Sequence, residues 1–193
     1  MTDFIGPPKD AIRNKPISDE LRQVLEIAAQ TAGIDTLRIT SGGQDAKGHG
    51  TRRTGSTRHD HGRAADVQCV VNGRTLTFTN TSAHPAILAF VAAAAAAGAT
   101  GIGAATDYMG ERTIHVGFGQ TVDDHSKIVW GGQERSVNAP AWLRQAAQAG
   151  WNAPKPHAAA AGHGPAALFA ALLADADDAP GIETDDEVEV NLA

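Results

Sequence analysis

The chain has 193 residues, 42% hydrophobic and 20% charged, with a formal net charge of −6, which supports a packed core and excludes wholesale disorder. That charge is divided: residues 1–155 hold 16 basic and 14 acidic side chains, whereas residues 156–193 hold 8 acidic and no basic ones. A near-neutral body with an acidic tail excludes a strongly basic nucleic-acid binder, and a single cysteine, Cys69, excludes intrachain disulfides and a multi-cysteine zinc finger.

The N-terminus, M-T-D-F-I-G-P-P-K-D, has no apolar segment of the signal-peptide kind. Synthesis in the cytoplasm, without an export signal, is therefore expected. Pro7 and Pro8 mark an extended lead-in. Ser18 caps a predicted helix over 19–32, with Asp19 and Glu20 at its positive end, an apolar stripe of Leu21, Val24, Leu25 and Ala28, and Gly33 as its stop. Residues 36–40 read as a short strand. Residues 41–62 are glycine-rich, polar and dense in Arg and His, a long loop of the kind that usually carries function. Two β-like runs, 65–71 and 74–79, flank Asn72-Gly73, a type I′ hairpin signal.

Ser82 and Pro85 open a second helix that runs through an alanine stretch to Gly98. Its apolar run, 86–97, is too short to span a bilayer, so no membrane insertion is expected. Glycine-broken chain follows, then strands over 112–118 and 127–130. Asn138 caps a third helix, with Pro140 early in it and Gly150 just after it, against which Trp130, Trp142 and Trp151 are expected to bury. Residues 153–165 form an Ala/Pro/Gly linker, and a short helix over 166–174 precedes the acidic tail. Strands and helices do not alternate in βαβ fashion, so the expected class is α+β: a small antiparallel sheet with flanking helices. The expected organisation is a domain over 1–152, the linker over 153–165, and a helix and tail over 166–193 that offers a surface to a protein partner.

Three of the eight histidines, His49, His59 and His61, fall in the long polar loop. Strand alternation puts Asp66 and Gln68 on one face and Val67 and Cys69 on the other. In R-T-I-H-V-G-F, Ile114, Val116 and Phe118 share one face and His115 takes the other. The apolar faces seek the core, so Asp66 and His115 both point toward the loop that bears His59. Two imidazoles and a carboxylate form a three-ligand zinc set with a further position left for water. His61 is an alternative ligand or an outer partner of the same site. His49, between glycines, reads as plain loop.

The segment H-D-H-G-R-A-A-D (His59–Asp66) resembles the H-x-x-G-x-A-x-D motif of the zinc D-alanyl-D-alanine carboxypeptidases and endopeptidases, whose fold is shared with the Hedgehog signalling domain. T-S-G-G-Q (40–44) is similar to that family's turn after its first strand. G-I-G (101–103) with I-H-V (114–116) is similar to its last ligand strand, so the likeness spans roughly 34–119. The resemblance implies one zinc ion on His59, Asp66 and His115, and hydrolysis of amide bonds in peptidoglycan stem peptides by zinc-bound water. With no signal sequence, it implies a phage-type member acting at the bacterial cell wall: a lysin (endolysin) or a virion-associated hydrolase.

Two departures stand out. The family's general-base positions are occupied here by Arg112 and Gly117, so the expected base is Glu111, four residues before His115. Gln44 stands where the family's turn carries a substrate-binding arginine. Substrate contacts are therefore expected from Gln44, from His61, and from Arg58, with Arg52 or Arg53 as other cations. The alternative reading keeps fold and metal but loses hydrolysis, leaving a peptidoglycan-binding or structural virion module.

Overall fold

Ser18 closes the first helix as its side chain predicts. Its hydroxyl accepts the Leu21 N–H at 3.2 Å, and α1 runs Asp19–Thr31 with Leu21, Val24, Leu25, Ala28 and Ala29 buried. The computed structural model describes residues 2–50, 53–119, 121 and 123–154. These belong to one compact unit, Met1–His157. The rest of the predicted linker, the short helix over 166–174 and the acidic tail lie outside the described residues.

The second helix, α2 (Pro85–Ala96), starts on its proline, but the cap is His84 rather than Ser82. The His84 ring nitrogen accepts the Ala86 N–H at 3.2 Å. A four-residue helix, α3 (Thr106–Met109), lies in what reads as glycine-broken chain. The last helix among the described residues, α4 (Ala141–Asn152), has no side-chain cap. Asn138 instead donates its amide to the Gly132 carbonyl at 2.8 Å and holds the preceding turn. Gly150 lies inside α4, not after it. A Cβ there would run into the Ala92 carbonyl oxygen of α2 and come within 2.8 Å of the Ala95 Cβ. The glycine permits two helices to touch; it does not end one.

Seven strands form a single open sheet: β1 (Asp3–Ile5), β2 (Thr36–Ser41), β3 (Ala64–Val71), β4 (Arg74–Thr75), β5 (Gly101–Gly103), β6 (Ile114–Gly117) and β7 (Ile128–Trp130). Their order is β1-β2-β3-β6-β5-β7, with β4 beside β3. The sheet is mixed. β1 joins β2 and β7 joins β5 in parallel, while the remaining pairs are antiparallel. The wholly antiparallel expectation thus fails at both edges, where three-residue strands carry too little pattern to be read. Asn72 and Gly73 both take positive φ (50° and 74°), as a type I′ turn requires, although β4 ends four residues short of the predicted run.

One face of the sheet supplies Leu37, Ile39, Val67, Cys69, Ile102, Ile114 and Val116 to a single core with α1, α2 and α4. α2 touches both α1 and α4, which is why its sequence is apolar nearly all round. Burial pushes the Cys69 thiol up to about 12, so it serves as a small apolar residue. No helix among the described residues is long and apolar enough to cross a membrane. The chain is therefore of mixed helix-and-sheet class, with four helices and an open sheet among the described residues. The other face of that sheet remains for the alternate residues of β3 and β6.

Candidate metal centre

Register decides what those alternate residues meet. Asp66 pairs with Ser41 on one side and His115 on the other; His115 pairs in turn with Gly103, and Gly103 with Trp130. One row across five strands thus reads Ser41, Asp66, His115, Gly103, Trp130. The loop then brings in His59. Ser56 caps a 3-10 turn over Thr57–His59, its hydroxyl accepting the Arg58 N–H at 3.2 Å. The loop is clamped from within by Asp60, whose carboxylate accepts from the Gln44 amide at 2.8 Å, the Lys47 N–H at 3.1 Å and the Arg53 guanidinium at 3.3 Å.

His59, Asp66 and His115 are all buried, and one donor atom from each lies within 4.8 Å of the others. The Asp66 Oδ1 stands 2.9 Å from the His115 Nδ1 and 3.5 Å from the His59 Nε2. Arg13 approaches the other carboxylate oxygen, Oδ2, at 3.6 Å and leaves Oδ1 to the two rings. The Nδ1 of His59 lies 2.8 Å from the Gly42 carbonyl. A carbonyl oxygen only accepts, so that nitrogen carries a proton, and Nε2 is left to face the carboxylate. A carboxylate oxygen and a ring nitrogen facing each other in a buried site are held together by a positive charge between them, a proton or a cation.

A metal ion supplies such a charge. Four-coordinate zinc with bonds of about 2.1 Å sets its ligand atoms roughly 3.4 Å apart, near the 3.5 Å between Asp66 Oδ1 and His59 Nε2 and inside the 4.8 Å span of the three donors. The donor set fits a divalent cation in charge and spacing. Burial alone would push Asp66 up, but the hydrogen bonds from His115 and His59 outweigh it and hold the carboxyl well below its ordinary range. Burial pushes His115 down against the pull of Asp66, which favours the neutral, ligating ring.

The three residues sit in a cleft of about 350 Å³ whose walls include Arg13, Arg58, Tyr108, Trp130 and Glu134. The Trp130 indole lies 4.9 Å from the His115 ring, centroid to centroid, and Arg58 stacks 4.6 Å above that indole. Trp130 is buried as expected, but between His115 and Arg58, whereas Trp142, on α4 itself, packs on Phe78 at 5.3 Å. Gly103 makes the Trp130 indole's position possible, because a Cβ there would fall 2.5 Å from its Cε2 and Nε1. Gly103→Ala is expected to displace the ring and destabilise the fold by about 1–3 kcal/mol. Tryptophan fluorescence and urea unfolding read the change, and an unaltered spectrum and midpoint would refute it.

Burial lowers Arg58 below its ordinary value despite the opposing charges of Asp124, Tyr108 and Glu134. Its Nη1 is buried with no hydrogen-bond partner among the described residues. Burial raises Tyr108, so the phenol stays a proton donor.

Of the residues singled out in the sequence, His59, Asp66, His115 and Arg58 are brought together. Gln44 is not. It is 3% exposed, and its amide is spent on the Ser56 carbonyl, Asp60 and the Thr54 N–H, so it pins the loop. His61, at a φ of 58°, turns away and lines a separate cavity with His49 and Lys15. Arg53 is engaged with Asp60, and Arg52 lies outside the described residues.

Glu111 stands apart from the cleft. β6 begins only at Ile114, so residues 111 and 112 form a turn and strand alternation does not carry the Glu111 carboxylate to the His115 face. That side chain is 58% exposed and pairs with Arg112 at 3.4 Å. Gly117 is held by packing, since a Cβ there would lie 2.6 Å from the Ala64 Cβ and 2.7 Å from the Arg63 carbonyl oxygen. Arg13, Tyr108 and Glu134 gave no periodic or motif signal, because each comes from irregular chain or a single short turn. Compared with known proteins, the chain matches no family model and has no significant match among the curated proteins or the solved structures.

Proposed function

We propose that the protein is a zinc-dependent peptidase that hydrolyses amide bonds in peptidoglycan stem peptides, a phage-type lysin or virion-associated enzyme acting at the bacterial wall. The observation that carries this reading is the buried convergence of His59, Asp66 and His115 at the floor of an open cleft. A purely structural metal site has four protein ligands, whereas this one has three among the described residues and a cleft beside it. Bound there, zinc supplies a Lewis acid that polarises the scissile carbonyl and acidifies a water molecule.

The chain's own groups supply the rest. The Gly42 carbonyl orients the His59 ring, and Arg13 orients the Asp66 carboxylate. Arg58, desolvated and stacked on Trp130, offers its unpartnered Nη1 to an anionic substrate group such as a terminal D-alanyl carboxylate. The Tyr108 phenol stands ready to donate a hydrogen bond to the oxygen on which charge develops.

One observation favours a second reading. Neither position that bears the base in the resembling family has a carboxylate, and Gly117 has no room for one. A non-catalytic zinc module that binds peptidoglycan would tolerate that. The readings separate on purified peptidoglycan incubated with the zinc-loaded chain. Release of muropeptides that stops with a chelator and returns with zinc is expected. With Arg58→Ala, KM for peptides ending in a free carboxylate is expected to rise by about tenfold or more. Retention of intact sacculi without any cleavage would decide for the module.

A further inference from the structure

We propose that Glu134 is the proton acceptor of this hydrolysis, an inference that rests on the peptidase reading above. Amide hydrolysis needs a group that takes a proton from water and then delivers one to the leaving nitrogen. Around the cleft, His59, Asp66 and His115 are committed to the cation, Arg13 and Arg58 are cations, and Tyr108 keeps its proton. Among the described residues that line the cleft, Glu134 is the one carboxylate besides Asp66.

Its backbone shows that the position is imposed. Glu134 and its neighbour Gln133 both take left-handed φ, 57° and 58°, which side chains with a Cβ avoid. Two such residues in succession persist only where the surroundings overdetermine them. Here the turn is closed by Gly131 N–H to the Arg135 carbonyl at 3.1 Å, Glu134 N–H to the Gly131 carbonyl at 3.1 Å, and the Asn138 amide on the Gly132 carbonyl at 2.8 Å. Gly131 and Gly132 allow it, since Cβ atoms there would strike Asn138 and Asp107. The result is an exposed carboxylate at the rim of the cleft that, among the described residues, takes no hydrogen bond or ion pair. Its charge is nonetheless felt by both Tyr108 and Arg58.

In the reaction, the water oxygen bonds to the scissile carbonyl carbon as one of its protons passes to the Glu134 carboxylate. The same proton then passes to the amide nitrogen as the C–N bond breaks. One water is consumed, one carboxyl group and one amine are released, and Glu134 returns to its starting form.

The test uses the full chain, zinc-loaded, on purified peptidoglycan, comparing wild type with Glu134→Gln, Glu134→Asp and Glu111→Gln. Zinc content and thermal midpoint are measured on each. Glu134→Gln is expected to lose about 10²–10⁴-fold in kcat, with zinc content and midpoint unchanged and the acidic limb of the pH–rate profile removed. Glu134→Asp is expected to recover part of the rate, and Glu111→Gln to match wild type. Glu134→Gln cleaving within about threefold of wild type overturns the assignment while leaving the peptidase reading intact. So does a variant that loses zinc together with activity, since Glu134 then serves the metal site. An inactive wild type that still binds zinc overturns the peptidase reading itself, and this inference with it.

Discussion

Asp66→Ala is expected to weaken zinc binding by more than about a hundredfold, because removing even an outer partner of a metal ligand costs about 10–100-fold. Asp66 contributes the Oδ1 toward which both His115 and His59 point, at 2.9 Å and 3.5 Å, so its loss leaves two imidazoles with no anionic partner. Arg13→Ala removes only the group on Oδ2 and is expected to cost about 10–100-fold by freeing the carboxylate to rotate. Gln68→Ala, on the same face one pair further along β3, should leave affinity unchanged. Competition against a chromogenic chelator ranks the three. Thermal unfolding gives a second measure: ligand at a hundred times its Kd adds about 2.7 kcal/mol to wild type. For a chain of this length, that raises the midpoint by roughly 5–10 °C. If Asp66→Ala binds zinc like wild type, or zinc leaves the wild-type midpoint where it was, the triad is a hydrogen-bonded network and no metal centre.

Gly150→Ala is expected to destabilise the fold strongly. α4 crosses α2 at this glycine, and the added carbon would be driven into the Ala92 carbonyl and to within 2.8 Å of the Ala95 Cβ. Both obstacles belong to a buried helix, one to its backbone, so neither can swing aside. Overpacking of this kind costs about 3 kcal/mol, a drop of roughly 6–12 °C in the midpoint. Helix propensity opposes it, since alanine favours a helix interior over glycine by about 1 kcal/mol. A rise in the midpoint would therefore mean that the helices separate without cost and that the contact is not tight.

That glycine also shows where reading by position goes astray. A Gly near the end of an amphipathic run ordinarily marks the stop, and Gly33 after α1 fits that rule. Gly150 follows another, the need for close approach, which depends on which helix lies opposite. Asn138 has the composition of a cap but serves the Gly131–Gly132 turn. Glu111 illustrates the same limit at the site. Strand alternation carries it to the His115 face only if the strand reaches back to 111, and it begins at Ile114. The missing three residues turn a cleft-facing carboxylate into an exposed one paired with Arg112.

From the sequence alone follow the helix capped by Ser18, the hairpin at Asn72-Gly73, the faces of β3 and β6, and the grouping of His59, Asp66 and His115. Each rests on a period of two or 3.6, or on a local turn preference, and such signals survive whatever lies across the core. Only the tertiary structure decided that the sheet is mixed, that Gln44 pins a loop rather than facing the cleft, and that Arg13, Tyr108, Trp130 and Glu134 wall the site. Those residues come from separate stretches of irregular chain and short elements, and what brings them together is strand order and register. No local pattern encodes register between strands that are distant in the chain; packing against the shared core selects it.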